Sequence, residues 1–172
     1  MRLQALTHLA AAAQALVGGE SSILILGSSS LLASFPQLGN ARQPLETSYA
    51  ADLLVEPYDV QAGKLLYEAI GENSVFHGRT GYYADIMLSA ATDTFPRGWK
   101  KRLLPLPNSQ NAFCLDPQDL AAIKLQVGRP KDLELCTALL ATGRLHPDLV
   151  RKRLRETRMD DRARALATTR PE

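Results

Sequence analysis

The sequence predicts an α+β fold, a mixed β-sheet with flanking helices followed by a C-terminal helical segment. Short apolar, β-prone runs alternate with helical patterns over the first 110 residues, whereas the following residues carry helical patterns alone. The 172 residues are 45% hydrophobic and 22% charged, which suits one globular domain. We place the α/β core at 1–110, a helical segment packed on it at 111–157, and a basic, flexible tail at 158–172.

The first half of the chain alternates helices and strands. Apolar residues recur at helical spacing over 3–17, and glycine ends the run. The apolar run 22–26 predicts a buried strand, and a short helix is expected to follow it over 28–32. Further strands are predicted at 47–55, 81–88 and 101–106, with a helix at 60–70 that is capped by Asp59.

Three prolines mark the helices of the second half. Asp116 is an N-cap residue followed by proline at the first helical position, so a helix is expected from there to Val127. Pro130 begins a second helix that ends before Gly143, and Pro147 begins the last one.

Cysteine usage and hydropathy favour a cytoplasmic protein that has no membrane partner. Cys114 and Cys136 lie among apolar residues without metal-ligand spacing, which predicts reduced core thiols. The apolar run 9–17 is too short to span a bilayer, and no signal-peptide pattern follows it. Because the first helix suits a dimer contact as well as the core, a homodimer stays open.

Positive charge gathers at the C-terminus. Residues 151–172 hold eight basic and four acidic side chains, a net charge of +4, against −2 for residues 1–150. One interpretation is a solvated helix with a frayed end. The other is a basic arm that contacts nucleic-acid phosphates.

Gly27 and Ser28 lie directly after the first strand, where a helix begins. A glycine at this position lets backbone N–H groups approach an anion, and the serine hydroxyl can add a bond to a phosphate oxygen. The alternative is a tight turn that only needs glycine.

Asp52 lies on the second predicted strand, where alternation places residues 48, 50 and 52 on one face. Two carboxylates at 50 and 52 could hold Mg²⁺, but position 50 is alanine. Glu56 has the same parity as Asp52 and could supply a displaced ligand. A structural role for Asp52 is the alternative.

Lys124, Arg129 and Asp132 flank the turn between two predicted helices. Cations at this corner, with Lys131 beside them, could clamp phosphates while Asp132 orients one of them. The alternative is a corner held together by salt bridges.

In this order, the glycine-serine turn, the Ser48-x-x-x-Asp52 strand and the Lys124–Asp132 corner resemble the DNA polymerase β-type nucleotidyltransferase superfamily. The similarity spans about residues 20–145. The corner is also similar to that of abortive-infection toxin nucleotidyltransferases, in which it helps to bind nucleotide. Further segments resemble small uncharacterised bacterial members; they are 27–36, 76–85, 96–99 and 115–120.

The resemblance implies a nucleotide-binding protein with NTP as its partner and, if the protein is active, Mg²⁺ as its cofactor. Asp52 would be the second of the usual metal-binding, catalytic carboxylates. Asp85, on the third predicted strand, is our candidate for the remaining one. The nucleotide-binding residues that we predict are Gly27, Ser28, Lys124, Arg129 and Asp132.

Ala50 departs from the superfamily pattern, which has an acidic residue two positions before Asp52. Three hypotheses therefore stay open. The chain could be an active Mg²⁺-dependent transferase that moves a nucleoside monophosphate from NTP to an RNA or protein hydroxyl. It could be a degenerate member that binds a nucleotide without catalysis. Alternatively, it could be an interaction protein that keeps only the fold and contacts RNA or a protein partner through its basic tail.

Overall fold

A computed structural model describes residues 1–157 of the chain, and the predicted tail at 158–172 lies outside these described residues. The chain divides into two compact units. The first comprises residues 1–89 and 103–115, and the second, as far as it is described, comprises 90–102 and 116–157. A segment of each unit is thus inserted between segments of the other.

The first unit is built on a mixed five-stranded sheet with the strand order β3-β2-β1-β5-β4. Strand β1 is antiparallel to β2 and parallel to β5, β2 is parallel to β3, and β4 is antiparallel to β5. This mixed sheet with its helices confirms the α+β class. The elements are α1 (Leu3–Val17), β1 (Ser22–Ile25), β2 (Ala50–Glu56), α2 (Val60–Ile70), α3 (Val75–Thr80), β3 (Tyr83–Ile86), β4 (Leu104–Pro105) and β5 (Ala112–Cys114).

The core of the first unit lies around β1. Its residues Ile23 to Ile25 are at most 2% exposed, as expected of a central strand with a continuous apolar run. Helix α1 turns one face inward, since its buried residues recur at helical spacing. These buried residues are Leu6, Leu9, Ala10 and Ala13.

Two elements of the first unit were not predicted. Helix α3 contains His77, and the Ser74 side chain caps this helix by accepting a hydrogen bond from the His77 N–H at 3.1 Å. None of its residues is buried, so it lacks the apolar period that reveals a helix. Strand β5 is three residues long, and its pairing with β1 defines it. Strand β2 begins at Ala50 rather than at residue 47.

The second unit is helical within its described part, and all three long helices begin with the predicted prolines. They are α4 (Pro117–Val127), α5 (Pro130–Ala141) and α6 (Pro147–Glu156), and a short 3-10 helix spans Trp99–Arg102. The Asp116 carboxylate caps α4 by accepting hydrogen bonds from the backbone N–H groups of Gln118 and Asp119. Gly128 ends α4 in the left-handed conformation, with φ at 70°.

A buried carboxylate joins three segments of the second unit. Asp119 in α4 is 0% exposed and accepts two hydrogen bonds from Arg102, from Nε at 2.8 Å and from Nη2 at 2.9 Å. Arg153 of α6 places its Nε 3.1 Å from the same carboxylate. Burial raises the pKa of Asp119, and the hydrogen bond from Arg102 opposes that rise.

Candidate functional site

Gly27 and Asp52 are in direct contact at the end of β1. A Cβ atom built on Gly27 would lie 1.5 Å from Oδ2 of Asp52 and 2.5 Å from its Cγ. The φ of Gly27 is −92°, which any residue adopts, so glycine is required here by space and not by backbone conformation. The backbone N–H of Leu26 donates to the Asp52 carbonyl at 2.9 Å and holds the two strands together at this point.

Asp85 is the partner of Asp52 across the sheet. Strands β2 and β3 are parallel, and their register places Asp52 opposite Asp85. Side chains opposite each other in neighbouring strands project from the same face, and such strands lie about 4.8 Å apart. Asp52 is half-buried and Asp85 is exposed. The two carboxylates that the sequence singled out on separate strands are therefore neighbours.

The same register pairs Ala50 with Tyr83. Tyr83 therefore shares a face with the two aspartates and stands beside Ala50, where the resemblance led us to expect a further carboxylate. Burial and then the negative charges of Glu72, Asp85 and Asp52 raise the pKa of the Tyr83 phenol. It thus stays protonated at neutral pH and can donate a hydrogen bond. Its signal in the sequence was parity, since Tyr83 precedes Asp85 by two residues just as Ala50 precedes Asp52.

His77 packs against Tyr83, with their ring centroids 4.7 Å apart. The Nδ1 atom of His77 accepts a hydrogen bond from the backbone N–H of Asn73 at 3.0 Å. In the neutral ring the proton is consequently on Nε2. The rim of the carboxylate pair is thus aromatic and has a fixed imidazole orientation.

Ser28 begins a 3-10 helix that spans Ser28–Ala33. The backbone N–H of Ser30 donates to the Gly27 carbonyl at 2.9 Å and closes the turn. The side chains of Ser29 and Ser30 are buried, and their hydroxyl oxygens have no hydrogen-bond partner among the described residues. Ser28 is half-buried, so its hydroxyl is the most accessible of the three.

Glu56 does not replace the carboxylate that is missing at position 50, because Ala50 and Glu56 lie at opposite ends of β2. Glu56 ends β2 four residues beyond Asp52, which corresponds to about 13 Å along an extended strand. Glu46 accepts a hydrogen bond from the backbone N–H of Arg42 at 2.6 Å. Within residues 1–157, no group of three or more His, Cys, Asp or Glu side chains is arranged to hold a metal ion.

The predicted basic corner lies wholly in the second unit. Asp132, which is 2% exposed, forms an ion pair with Lys124 Nζ through Oδ1 and accepts a hydrogen bond from Arg129 Nε at 2.7 Å through Oδ2. Burial works to raise the pKa of Asp132, but the hydrogen bonds from the two cations outweigh it and lower this pKa. The side chain of Lys124 is 9% exposed and that of Arg129 is 59% exposed. Of the two cations that bind Asp132, Arg129 is therefore the one that reaches solvent.

The structure thus brings the predicted residues together in two groups. Gly27, Ser28, Asp52 and Asp85 lie in the first unit, and Lys124, Arg129 and Asp132 lie in the second. Both cysteines are buried free thiols, and burial raises the pKa of Cys114 to about 12 and that of Cys136 to about 11. Neither thiol is therefore a reactive group at neutral pH.

The mixed five-stranded sheet with its helices is consistent with a nucleotidyltransferase-like α+β fold. The chain belongs to the family described as "nucleotidyltransferase of unknown function (DUF6036)", whose sequence pattern matches residues 4–168. No curated protein and no solved structure matches the chain. Among the described residues, every helix is too short or too polar to cross a membrane.

We expect Gly27→Ala to lower the free energy of unfolding by about 1–3 kcal/mol, because its methyl group would overlap the Asp52 carboxylate. The double variant Gly27→Ala/Asp52→Ala should recover most of this loss, which urea unfolding of the four proteins will measure. Gly78→Ala is the control, since a Cβ there meets nothing within 4 Å. Additive losses from the two substitutions would contradict the predicted overlap.

We expect Asp132→Asn to lower the free energy of unfolding at pH 7 by about 3 kcal/mol, because it leaves Lys124 buried without its counter-charge. The pKa of Asp132 is lower in the folded chain than in the unfolded one. The ion pairs therefore stabilise the fold above the unfolded-state pKa, about 4, and this stability is lost as the pH falls through the folded-state pKa.

Urea unfolding between pH 7 and pH 2.5 tests this, with the exposed Glu134→Gln on the same helix as control. The difference in the free energy of unfolding between the native protein and Asp132→Asn should become smaller as the pH falls. A difference in the free energy of unfolding that does not change with pH would be evidence against the ion pair.

Proposed function

We propose that the chain binds an NTP together with Mg²⁺ and transfers its nucleoside monophosphate to a hydroxyl group. One observation carries the proposal: the Asp52 carboxylate lies against Gly27 at the end of a central strand and faces Asp85 across the sheet. Membership of a nucleotidyltransferase family supports the same chemistry. The acceptor oxygen would attack the α-phosphorus, pyrophosphate would leave, and the hydroxyl would lose its proton.

The carboxylate pair fits a magnesium ion. Mg²⁺ prefers oxygen ligands and is usually held by one or two carboxylates, with phosphate oxygens and water completing its coordination. Asp52 and Asp85 are two such carboxylates on neighbouring backbone positions, and their mutual repulsion favours a cation between them. When bound there, the ion would neutralise phosphate charge and lower the pKa of an attacking hydroxyl.

Groups that can bind phosphate are present in each unit taken by itself. In the first unit, Gly27 lies against the Asp52 carboxylate, and the half-buried Ser28 next to it offers a hydroxyl. In the second unit, Arg129 uses Nε to bind Asp132 while more than half of its side chain stays exposed. Within the second unit taken by itself, Arg129 is the residue that we propose to contact a phosphate, with Lys124 and Asp132 positioning it.

Tyr83 compensates in part for Ala50. A carboxylate at position 50 would accept hydrogen bonds or coordinate the metal ion, whereas the protonated Tyr83 phenol beside it donates a hydrogen bond. We assign Tyr83 to holding an oxygen of the nucleotide next to the aspartate pair. The site would then bind the nucleotide and its metal ion through two carboxylates and one uncharged hydrogen-bond donor.

A degenerate protein that binds nucleotide without turnover is the second candidate, and Ala50 favours it. Losing one bridging carboxylate removes part of the positioning that in-line attack requires. The two candidates agree on binding and differ in turnover, so both must be measured.

We expect Mg²⁺-dependent NTP binding to be lost in Asp52→Asn and in Asp85→Asn, because each change removes one of two charged ligands. Calorimetric titration with each of the four NTPs, with and without Mg²⁺, measures this. Glu56→Gln, at the other end of the same strand, should bind as the native chain does. Binding that survives both aspartate substitutions would overturn the proposed site.

Turnover is measured in the same proteins as transfer of α-phosphate label to RNA or protein hydroxyls. An active enzyme should lose on the order of 100-fold in rate in either aspartate variant, equivalent to about 2.7 kcal/mol. Binding without any transfer by the native chain would favour the degenerate protein.

We expect Ala50→Asp to strengthen Mg²⁺-dependent NTP binding and Tyr83→Phe to weaken it about 3- to 10-fold, the worth of one hydrogen bond. Because the two residues stand opposite each other, Tyr83→Phe should matter less in the Ala50→Asp background. Tyr82→Phe is the control, since the Tyr82 hydroxyl bonds His8 at 2.6 Å instead. If the two substitutions change the free energy of NTP binding in a fully additive way, Tyr83 is not part of the binding site.

A further inference from the structure

Two buried serine hydroxyls of the first unit have no hydrogen-bond partner among the described residues. They belong to Ser29 and Ser30, which are 2% and 1% exposed and follow Ser28 in the 3-10 helix Ser28–Ala33. Taking a hydroxyl out of water without a new hydrogen bond is unfavourable, so buried side-chain oxygens in proteins nearly always have a partner. The contacts within residues 1–157 thus leave two buried polar groups unsatisfied.

Threonines in or next to other helices of the chain show how such a hydroxyl is usually satisfied. A serine or threonine in a helix can donate to a backbone carbonyl three or four residues earlier. Five threonines make this bond at distances between 2.6 and 3.0 Å; they are Thr7, Thr80, Thr137, Thr142 and Thr157. Ser29 and Ser30 lack it, although they too lie in a helical segment.

The two serines lie close to the candidate site in the chain and in the fold. They are the second and third residues after Gly27, whose position against the Asp52 carboxylate defines the end of β1. The 3-10 helix that carries them packs against β2, the strand of Asp52, and against β5. The unsatisfied hydroxyls therefore belong to the same turn as Ser28, which the proposed function assigns to a phosphate contact.

Packing alone does not explain hydroxyls at positions 29 and 30. The next two residues of the same 3-10 helix, Leu31 and Leu32, are 0% exposed and fill the interior with apolar groups. Alanine at position 29 or 30 would occupy nearly the same volume as serine and would bury no hydroxyl. The serines therefore reduce the stability of the ligand-free chain, as groups that serve a binding site often do.

We propose that the hydroxyls of Ser29 and Ser30 bind phosphate oxygens of the nucleotide after a local shift of the turn that begins at Gly27. This inference rests on the proposed function, because it takes the triphosphate as the ligand. The shift is required because both hydroxyl oxygens are closed off from solvent in the ligand-free chain. A triphosphate offers charged acceptor oxygens, and a serine hydroxyl can rotate its hydrogen toward such an acceptor.

The unsatisfied hydroxyls also supply the driving force for the shift. A ligand can move a conformational equilibrium only by the difference in its affinity for the two conformations. Hydrogen bonds from Ser29 and Ser30 that form only in the bound conformation provide this difference. A 3-10 helix is suited to such a change, because its hydrogen bonds have poorer geometry than those of an α-helix.

The variants Ser29→Ala and Ser30→Ala test the inference in the full chain, since each removes one hydroxyl with little change in volume. Each should raise the melting temperature of the ligand-free chain by about 2–4 °C, because an unsatisfied buried group is removed. Each should also weaken the Mg²⁺-dependent binding of tripolyphosphate and of NTP about 3- to 10-fold, because one hydrogen bond to phosphate is lost. Scanning calorimetry and titration calorimetry measure the two effects.

The matched control is Thr7→Val, which removes a hydroxyl of the same unit without changing the shape of the side chain. The Thr7 hydroxyl donates to the Leu3 carbonyl at 3.0 Å, so it is already satisfied in the ligand-free chain. Its loss should not raise the melting temperature and should leave the affinity for tripolyphosphate and NTP as it is in the native chain.

A higher melting temperature together with weaker binding of both ligands in the serine variants supports the proposal. A melting temperature that does not rise would mean that the hydroxyl is already bonded in the ligand-free chain, for example to buried water, and would overturn the role of that serine. Unchanged affinity for tripolyphosphate would overturn it as well. Serine-dependent binding of tripolyphosphate without any binding of NTP would sink the proposed function alone, and binding of neither would overturn both.

Discussion

The contact between Gly27 and the Asp52 carboxylate is the constraint on which the candidate site depends. An acidic side chain in a strand next to the central one needs space, and the end of β1 supplies it by having no side chain. The sheet then determines the neighbour, because the parallel pairing of β2 and β3 presents Asp85 beside Asp52. Two carboxylates consequently share one face of the sheet.

The buried or half-buried carboxylates of the two units have different neighbours. In the second unit, Asp119 lies between Arg102 and Arg153, and Asp132 lies between Lys124 and Arg129. These acids are neutralised where they stand, so they hold helices together and orient the cations. In the first unit Asp52 has another carboxylate beside it. The same residue type is therefore held by cations in one unit and lies beside another carboxylate in the other.

The structure adds to the interpretation of Ala50 that the sequence suggests. As a sequence position it is a missing ligand, whereas in the sheet it is the small residue opposite Tyr83. A phenol beside two carboxylates keeps its proton and contributes a donor rather than an acceptor. The structure also separates the roles of the cations at the basic corner. Lys124 is buried against Asp132, and Arg129 is the more exposed of the two cations that bind Asp132.

Local signals in the sequence determined the long elements and the identity of the candidate residues. Apolar periodicity and prolines at helix starts are read from neighbouring positions, so α1, α4, α5 and α6 were predictable. Helix α3 and strand β5 have no such signal, since the first buries no residue and the second is defined by its partner strand. The pairing of Asp52 with Asp85 and of Ala50 with Tyr83 was decided only by the tertiary structure. Register between strands far apart in the chain depends on how the whole sheet assembles, which no local pattern encodes.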